Sequence, residues 1–415
     1  MQRENRHRAG HRIRQPEDYE AFIPSPLPPD PPLVLDDGIL DLLSRADRAL
    51  GRLDGSTEVL PQPDLFVYMY VRKEAVLSSQ IEGTQASLTD LLEHEAREKE
   101  ARSGDVGEIS NYIAAMNHGL QRLEHFPLSL RLIREIHAKL LEGTRGSTRT
   151  PGEFRKTQNW IGPAGCVLAE ATHVPPPPHE MMIALGDWER FVHDETPMPI
   201  LIRLGLLHAQ FETIHPFLDG NGRVGRLLIT FLLCQKEILQ RPLLYLSIFF
   251  KRNRQEYYDR LQAIRDRGDW EGWIRFFLRG IYEVSQEATE TARRIVALRE
   301  RHREQILNRL GGKAPNGLKL LEVLYRMPYM TVSRASEEIG VSFAAANSLV
   351  RSLREAGLLA EVTAQRRNRL FRYEEYLKLF GEGTEEKETS GKGTDGEMPG
   401  SETGGSGNDE NAPTE

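Results

Sequence analysis

Two cysteines in 415 residues, Cys166 and Cys234, and no CxxC pair leave nothing from which to build a disulfide framework or a structural zinc site. That scarcity suits a reducing compartment, so a cytoplasmic protein is expected. Hydrophobic runs are short: the longest, 227–234 and 243–250, fall far below the roughly twenty residues that cross a bilayer. The first fourteen residues carry five arginines with no apolar segment behind them, so a secretory signal is not expected. The twelve histidines fall in no HExxH or similar ligand spacing. A strong charge is missing too. The net charge of −7 belongs to the stretch 381–415, with ten acidic and two basic side chains, and the rest of the chain is close to neutral. Alternating apolar–polar strand patterns are almost absent between 36 and 310.

Helical periodicity is abundant. Apolar residues recur at three- and four-residue spacing in 40–53, 65–81, 88–96, 109–123, 130–141, 181–192 and 200–214, then in 224–239, 257–264, 270–284 and 292–310. The spacing predicts an all-α fold in five parts. An N-terminal arm (1–35) ends in a proline-rich, extended stretch, PSPLPPDPP. A helical region (36–125) leads to a helical core (126–310) holding a long Gly/Pro-rich loop, 143–179, of a length usually functional. Beyond Gly311-Gly312, residues 313–380 give three helix-like segments (318–326, 333–339, 343–356), with Gly340 in the turn. An alternating two-stranded stretch, 358–373, follows, with Arg366, Arg367 and Arg369 at its turn. This is a winged helix-turn-helix pattern. From 381 onward almost no large apolar side chain occurs, and a disordered acidic tail is expected.

The chemistry lies in HPFLDGNGRVGR, 215–226, between two strongly helical segments. It reads as a loop feeding a helix N-terminus. Gly220 and Gly222 let backbone N–H groups approach a ligand, and the helix dipole favours an anion there. Arg223 and Arg226, three apart, reach phosphate oxygens with bidentate forks. Asp219 offers the hard oxygen that Mg²⁺ prefers when it arrives on a polyphosphate. His215, with an ordinary pKa near neutrality, is the candidate general base. The set describes an enzyme acting on a magnesium–nucleotide.

This loop resembles the signature of the Fic family, HxFx(D/E)GNGRxxR, at every fixed position. PGEFRKTQNWIG (151–162) looks like the segment before the family's substrate-binding flap, and THVPPPPHE (172–180) like the flap and the next helix start. The resemblance implies an all-helical core and transfer of AMP from ATP to Ser, Thr or Tyr hydroxyls of a target protein, self-modification included. His215 would then act as base and Asp219 as the Mg²⁺ ligand. The run Gly220, Asn221, Gly222, Arg223, Val224, Gly225 and Arg226 would bind ATP. Upstream, SSQIEG (78–83) resembles the family's inhibitory sequence (S/T)xxxE(G/N): Ser78 and Glu82 share one helix face, Gly83 caps it, and Glu82 would occupy Arg226 in place of a γ-phosphate. Apart from the loop, the same six residues would read as a surface carboxylate ending a helix. The resemblance further puts Tyr257 and Tyr258 near the adenine, Thr172 and His173 on the flap, and Arg265 at the ribose or adenine. Trp270 and Trp273 read as core.

Residues 313–380 hold eleven basic and seven acidic side chains, a balance compatible with DNA phosphates. FAAAN at the start of the third helix offers few base-reading side chains, so a protein-interaction or homodimerisation module is the competing expectation. Three functions stand side by side: an autoinhibited AMP-transferase that also removes AMP, a Fic enzyme transferring another phosphate-containing group, and a nucleotide-sensing DNA-binding regulator.

Overall fold

Helix follows helix along the chain, as the apolar spacing predicts. The computed structural model describes residues 6–56, 63–97, 104–163, 165–195, 197–363 and 368–381. The order is α1 (Arg6–Ala9), β1 (Gly10–Arg14), β2 (Glu20–Pro24), α2 (Asp37–Ser56), α3 (Pro63–Ile81), α4 (Leu88–Ala96), α5 (Gly104–Leu123), α6 (Leu130–Leu140), α7 (Pro178–His193), α8 (Ile200–Ile214) and α9 (Asn221–Gln235). Then come α10 (Ser247–Arg252), α11 (Arg254–Arg267), α12 (Trp270–Arg309), α13 (Ala314–Arg326), β3 (Tyr329–Thr331), α14 (Val332–Ile339), α15 (Phe343–Glu355), β4 (Ala360–Glu361), β5 (Leu370–Arg372) and α16 (Glu374–Gly381).

α8 is the central element. Its residues from Leu201 to Ile214 are all buried, which is how a helix apolar on every side satisfies itself. Trp188 of α7 and Trp273 of α12 clasp it, their indole N–H groups donating to the carbonyls of Leu207 (2.9 Å) and Gly205 (2.8 Å). Trp270 and Trp273 are core, as expected. α9, the helix that the signature loop enters, packs on α8, α5, α6 and α3.

Short strands are small additions to the helical fold. The arm forms an antiparallel hairpin, Gly10–Arg14 against Glu20–Pro24, which buries Phe22 and ties its N–H to the carbonyl of Val174 (2.9 Å). The wing has three strands, order β3-β5-β4, because Tyr329–Thr331 ahead of α14 pairs with β5. Arg366 and Arg367, and the tail from 382, lie outside the described residues. α9 ends at Gln235 instead of 239, where Glu237 turns back at φ 54°. The two segments expected at 270–284 and 292–310 are one helix of 40 residues, α12, about 60 Å long at 1.5 Å per residue. It starts in the core and carries the C-terminal unit on its far end.

That unit touches the upstream helices. α13 packs on α3, and β3 on α4. α16, absent from the expected elements, sets Phe380 edge-on to Tyr70 of α3 at 5.7 Å. α3 thereby runs from the C-terminal unit to the signature loop. Along it Tyr70 donates to the Ala288 carbonyl (2.9 Å), and the buried Glu74 accepts from the Tyr112 hydroxyl (3.2 Å) and the Ser247 N–H (3.2 Å). In the C-terminal unit Arg326, Arg334, Arg354, Arg369, Arg372 and Lys378 are all ion-paired to glutamates of the same unit.

Candidate active site

α8 ends at His215, which caps it in the left-handed region (φ 48°, ψ 62°) and turns the chain into the loop. A non-glycine residue there is strained, a feature that concentrates at functional sites. The loop closes at Gly220 (φ 80°), the N-cap of α9, where the missing Cβ permits the turn. Asn221 latches the loop: its side-chain oxygen accepts from the Phe217 N–H and its amide donates to the Phe217 carbonyl, both at 2.8 Å. Asn221 was expected to bind ATP; its side chain is instead consumed by that latch. Val224 is buried core, and Gly225 packs against the Glu212 carboxyl.

His137 of α6 supports the loop from below. Gly152 N–H donates to its Nδ1 (2.8 Å), so the ring proton sits on Nε2 and donates to the Asp219 carbonyl (3.0 Å). The ring stacks on Phe217 at 3.7 Å, and burial pushes its pKa down to about 4, which keeps it neutral.

The two arginines of the motif have separate fates. Arg226 is buried. Its Nε donates to Ser78 Oγ (2.8 Å), and its Nη2 to the Ser78 carbonyl (3.0 Å) and to Glu82 Oε1 (2.6 Å). Gly222 makes this contact fit, because a Cβ there would stand 2.3 Å from Glu82 Oε1. Burial works to raise the Glu82 carboxyl, but the Arg226 guanidinium, with Arg223 and His215 behind it, outweighs burial and holds it below the ordinary range. Arg223 donates to Asp219 Oδ1 (3.1 Å) and to Glu108 Oε2 (3.4 Å), and Glu108 in turn accepts from Thr84 Oγ1 (3.3 Å). Glu82 thus meets Arg226 as the sequence expectation has it, whereas Arg223, expected to reach phosphate oxygens, is engaged by Asp219 and Glu108.

His215 also differs from its expected near-neutral pKa. Burial brings it down to about 4, the Arg155 and Arg265 cations push the same way, and Glu82 opposes them. The main chain of Glu212 lies beside the ring, while that residue's Oε1 has no hydrogen-bond partner. Burial raises the Glu212 carboxyl to about 7 against the pull of Arg226.

The weaker candidates divide. Tyr257 is buried in the aromatic core, stacked on Phe250 at 4.6 Å with its hydroxyl 2.9 Å from His208 Nε2, so it has no face for an adenine. Tyr258, 40% exposed, remains at the site's rim, where Glu82 and Arg226 act on its hydroxyl. His173 is turned inward: its Nε2 donates to the Thr213 carbonyl (2.9 Å), and its backbone pairs with Ile161 across the flap. Thr172, beside it, is exposed. Arg265 is buried against Thr213 and Gln262, with burial lowering its pKa to about 10. The residues that sequence reasoning did not single out are Glu108, His137, Arg155, Asn159 and Glu212. Only Glu212 carried a local signal, one helical turn before His215 on the same face.

Residues 40–121 match the Fic/DOC family N-terminal model, and residues 127–233 match the Fic/DOC family model. A Culex quinquefasciatus protein named protein adenylyltransferase Fic is 31% identical over 154 residues, 36% of this chain and 27% of that protein. A probable protein adenylyltransferase of Aquifex aeolicus is 26% identical over 202 residues, 48% of this chain and 56% of its own length. The chain thus spans about a quarter of the insect relative and about half of the bacterial one. The crystal structure of a Fic family protein from Desulfovibrio desulfuricans shares the fold, with a TM-score of 0.54 at 18% identity over 82% of this chain and 97% of that one. Motif, helical fold and family matches converge: residues 40–121 and 127–233 carry the two parts of the Fic/DOC family.

Proposed function

We propose that this protein transfers AMP from ATP to a Ser, Thr or Tyr hydroxyl of a target protein, and that Glu82 holds it inhibited. The observation that carries the reading is the 2.6 Å contact between Glu82 and Arg226 at a glycine-lined helix N-terminus. The Arg226 side chain is 2% exposed and the Glu82 side chain 33%, so the cation belongs to the site and the carboxylate is the displaceable partner. A nucleotide's outermost phosphate has the charge and the acceptor geometry to take its place.

With Glu82 withdrawn, Arg226 binds the outer phosphate and the N–H groups at the start of α9 receive the inner ones. His215 takes the proton of the target hydroxyl while that oxygen bonds to the α-phosphorus. The bond from the α-phosphorus to its bridging oxygen breaks, and pyrophosphate leaves. An imidazole at about 4 is a weak base in the resting protein. The negative charge of a bound triphosphate opposes Arg155 and Arg265 and returns it toward neutrality. Among the described residues no group of three or more His, Cys, Asp or Glu side chains forms a metal cage. A lone carboxylate, Asp219, fits Mg²⁺ that arrives already coordinated by phosphates. Bound there, the ion would neutralise charge on the departing pyrophosphate.

The test compares wild type, Glu82→Gly and Glu82→Gly/His215→Ala with α-³²P-ATP and a cell lysate. Glu82→Gly is expected to label protein at least about tenfold faster than wild type, a ~1.4 kcal/mol change in barrier, and the double variant not at all. Equal labelling by wild type and Glu82→Gly would remove the inhibition claim.

A further inference from the structure

The PGEFR segment ahead of the flap ends in a buried arginine whose described hydrogen bonds all go to main-chain carbonyls. Thr150 (φ 50°) and Gly152 (φ 80°) double the chain back, and the Arg155 N–H donates to the Pro216 carbonyl at 2.9 Å. From there the guanidinium, on a residue only 2% exposed, spreads over four acceptors. Nε meets the His215 carbonyl at 3.0 Å and Nη2 the Ile214 carbonyl at 3.4 Å, both at the turn that presents the base. Nη1 meets Thr157 O at 3.3 Å, on the chain entering the flap, and Nη2 meets Pro176 O at 2.5 Å, on the chain leaving it. Asn159, two residues further on, adds 2.9 Å to the Phe217 carbonyl.

Resting on the adenylyltransferase reading above, we infer that Arg155 is a positioning residue that pins both feet of the flap and the left-handed turn of His215 into one piece, so that flap and base meet the target hydroxyl in fixed register. A fork is required for this. Four carbonyls at separate points are a task for a planar, five-donor cation; an ammonium holds fewer of them and is more costly to bury. The left-handed backbone at His215 is a strained state that persists only where its surroundings over-determine it, and Arg155 supplies that constraint from the carbonyl side.

The same geometry sets a second, separable property. The cation stands behind the imidazole with no carboxylate of its own. Facing His215 from the other elements are Arg265 of α11, His173 of the flap, Glu82 after α3, and the Glu212 main chain of its own helix. Burial is the larger cause that keeps the ring unprotonated, and the Arg155 and Arg265 cations add to it against Glu82.

Charge and fork separate in two variants made in the Glu82→Gly background. Arg155→Lys keeps the charge and loses the fork. Its kcat is expected to fall about tenfold or more, with KM for ATP within about twofold and the acidic limb of kcat/KM unmoved. Arg155→Gln loses both, and its acidic limb moves up by about one pH unit. A merely structural arginine would lower thermal stability in both variants and leave the limb in place. Arg155→Lys transferring at the parent rate, or Arg155→Gln with an unshifted limb, overturns the inference. NMR titration of the His215 imidazole in wild type and Arg155→Gln needs no turnover, and the same upward shift is expected. If Glu82→Gly protein transfers nothing, the enzyme reading falls alone, and an unshifted titration would still overturn the role of Arg155. Should Arg155→Gln not fold, the His215 titration in Arg155→Lys decides: a ring still near the wild-type value supports the charge argument, and a ring returned to the ordinary histidine value contradicts it.

Discussion

The contact proposed to inhibit is built from two side chains on α3 and its end, and they contribute unequally. Glu82 brings the charge, whereas Ser78 holds Arg226 through its hydroxyl at 2.8 Å and its carbonyl at 3.0 Å. Ser78→Ala removes one neutral hydrogen bond to a cation and leaves the carboxylate in place. We expect labelling from α-³²P-ATP to rise only a few-fold over wild type, well short of Glu82→Gly, since Arg226 keeps the Ser78 carbonyl and the Glu82 carboxylate as partners. A Ser78→Ala rate equal to that of Glu82→Gly would mean that the hydroxyl, not the carboxylate, is the brake. Residue by residue, the loop's chemistry was legible wherever one side chain has one chemical use. Asp219, the two glycines and the buried Arg226 sit at the helix entrance as their types require. The latch at Asn221 was not legible, because its partner, the Phe217 peptide, comes within reach only once the loop closes. Tyr257 was legible in principle: 257, 261 and 264 share a buried helix face, so it belongs to the core while Tyr258 faces out.

α3 is where local sequence explains least and packing most. Its apolar spacing predicts a helix, but nothing in 63–81 announces that Glu74 is buried with Tyr112 and Ser247 as partners, since those lie 38 and 173 residues away. Burial raises this carboxyl to about 7. Glu74→Ala deletes the shared acceptor and strands buried donors on α5 and α10. A loss of about 2–4 kcal/mol in urea unfolding is expected. Faster amide exchange along α3 and increased AMP labelling are expected with it, because the helix that carries Ser78 and Glu82 loses its anchor. Unchanged exchange in α3 would show that the helix is held elsewhere. The wing illustrates the same limit: β4 and β5 were legible as alternation after Gly357. β3 is three residues long and becomes a strand only because β5 lies beside it. The continuity of α12 escaped for another reason, since its middle, 285–291, is polar on the face where the core gives way to the C-terminal unit.

Over the whole molecule, buried histidines set the response to acid. His137, His173, His208, His215 and His302 are held below the ordinary histidine value, burial being the main cause in each. In the unfolded chain they take up protons near pH 6.5; in the native protein His137 and His215 do so at about 4 and His208 at about 3. As pH falls from 6.5 toward 4 the unfolded state binds more protons, so stability is lost. Asp47, Glu74 and Glu212 run the other way. Burial raises each, so the native state keeps protons that the unfolded chain releases, and acidification favours it. Five groups against three leave a net loss. The thermal midpoint at pH 5 is expected at least about 2 °C below that at pH 7, and a higher midpoint at pH 5 would contradict this balance.

The central claim is that the pocket directs attack at the innermost phosphorus of ATP. The direct measurement gives Glu82→Gly protein, with a lysate, ATP labelled in parallel at the α- or the γ-phosphate, and counts the label retained on protein. The account predicts that α-label stays on protein through a base-stable hydroxyl adduct, that γ-label departs as pyrophosphate, and that His215→Ala abolishes both the adduct and the release. Retention of γ-label, or of α-label undiminished by His215→Ala, would contradict it.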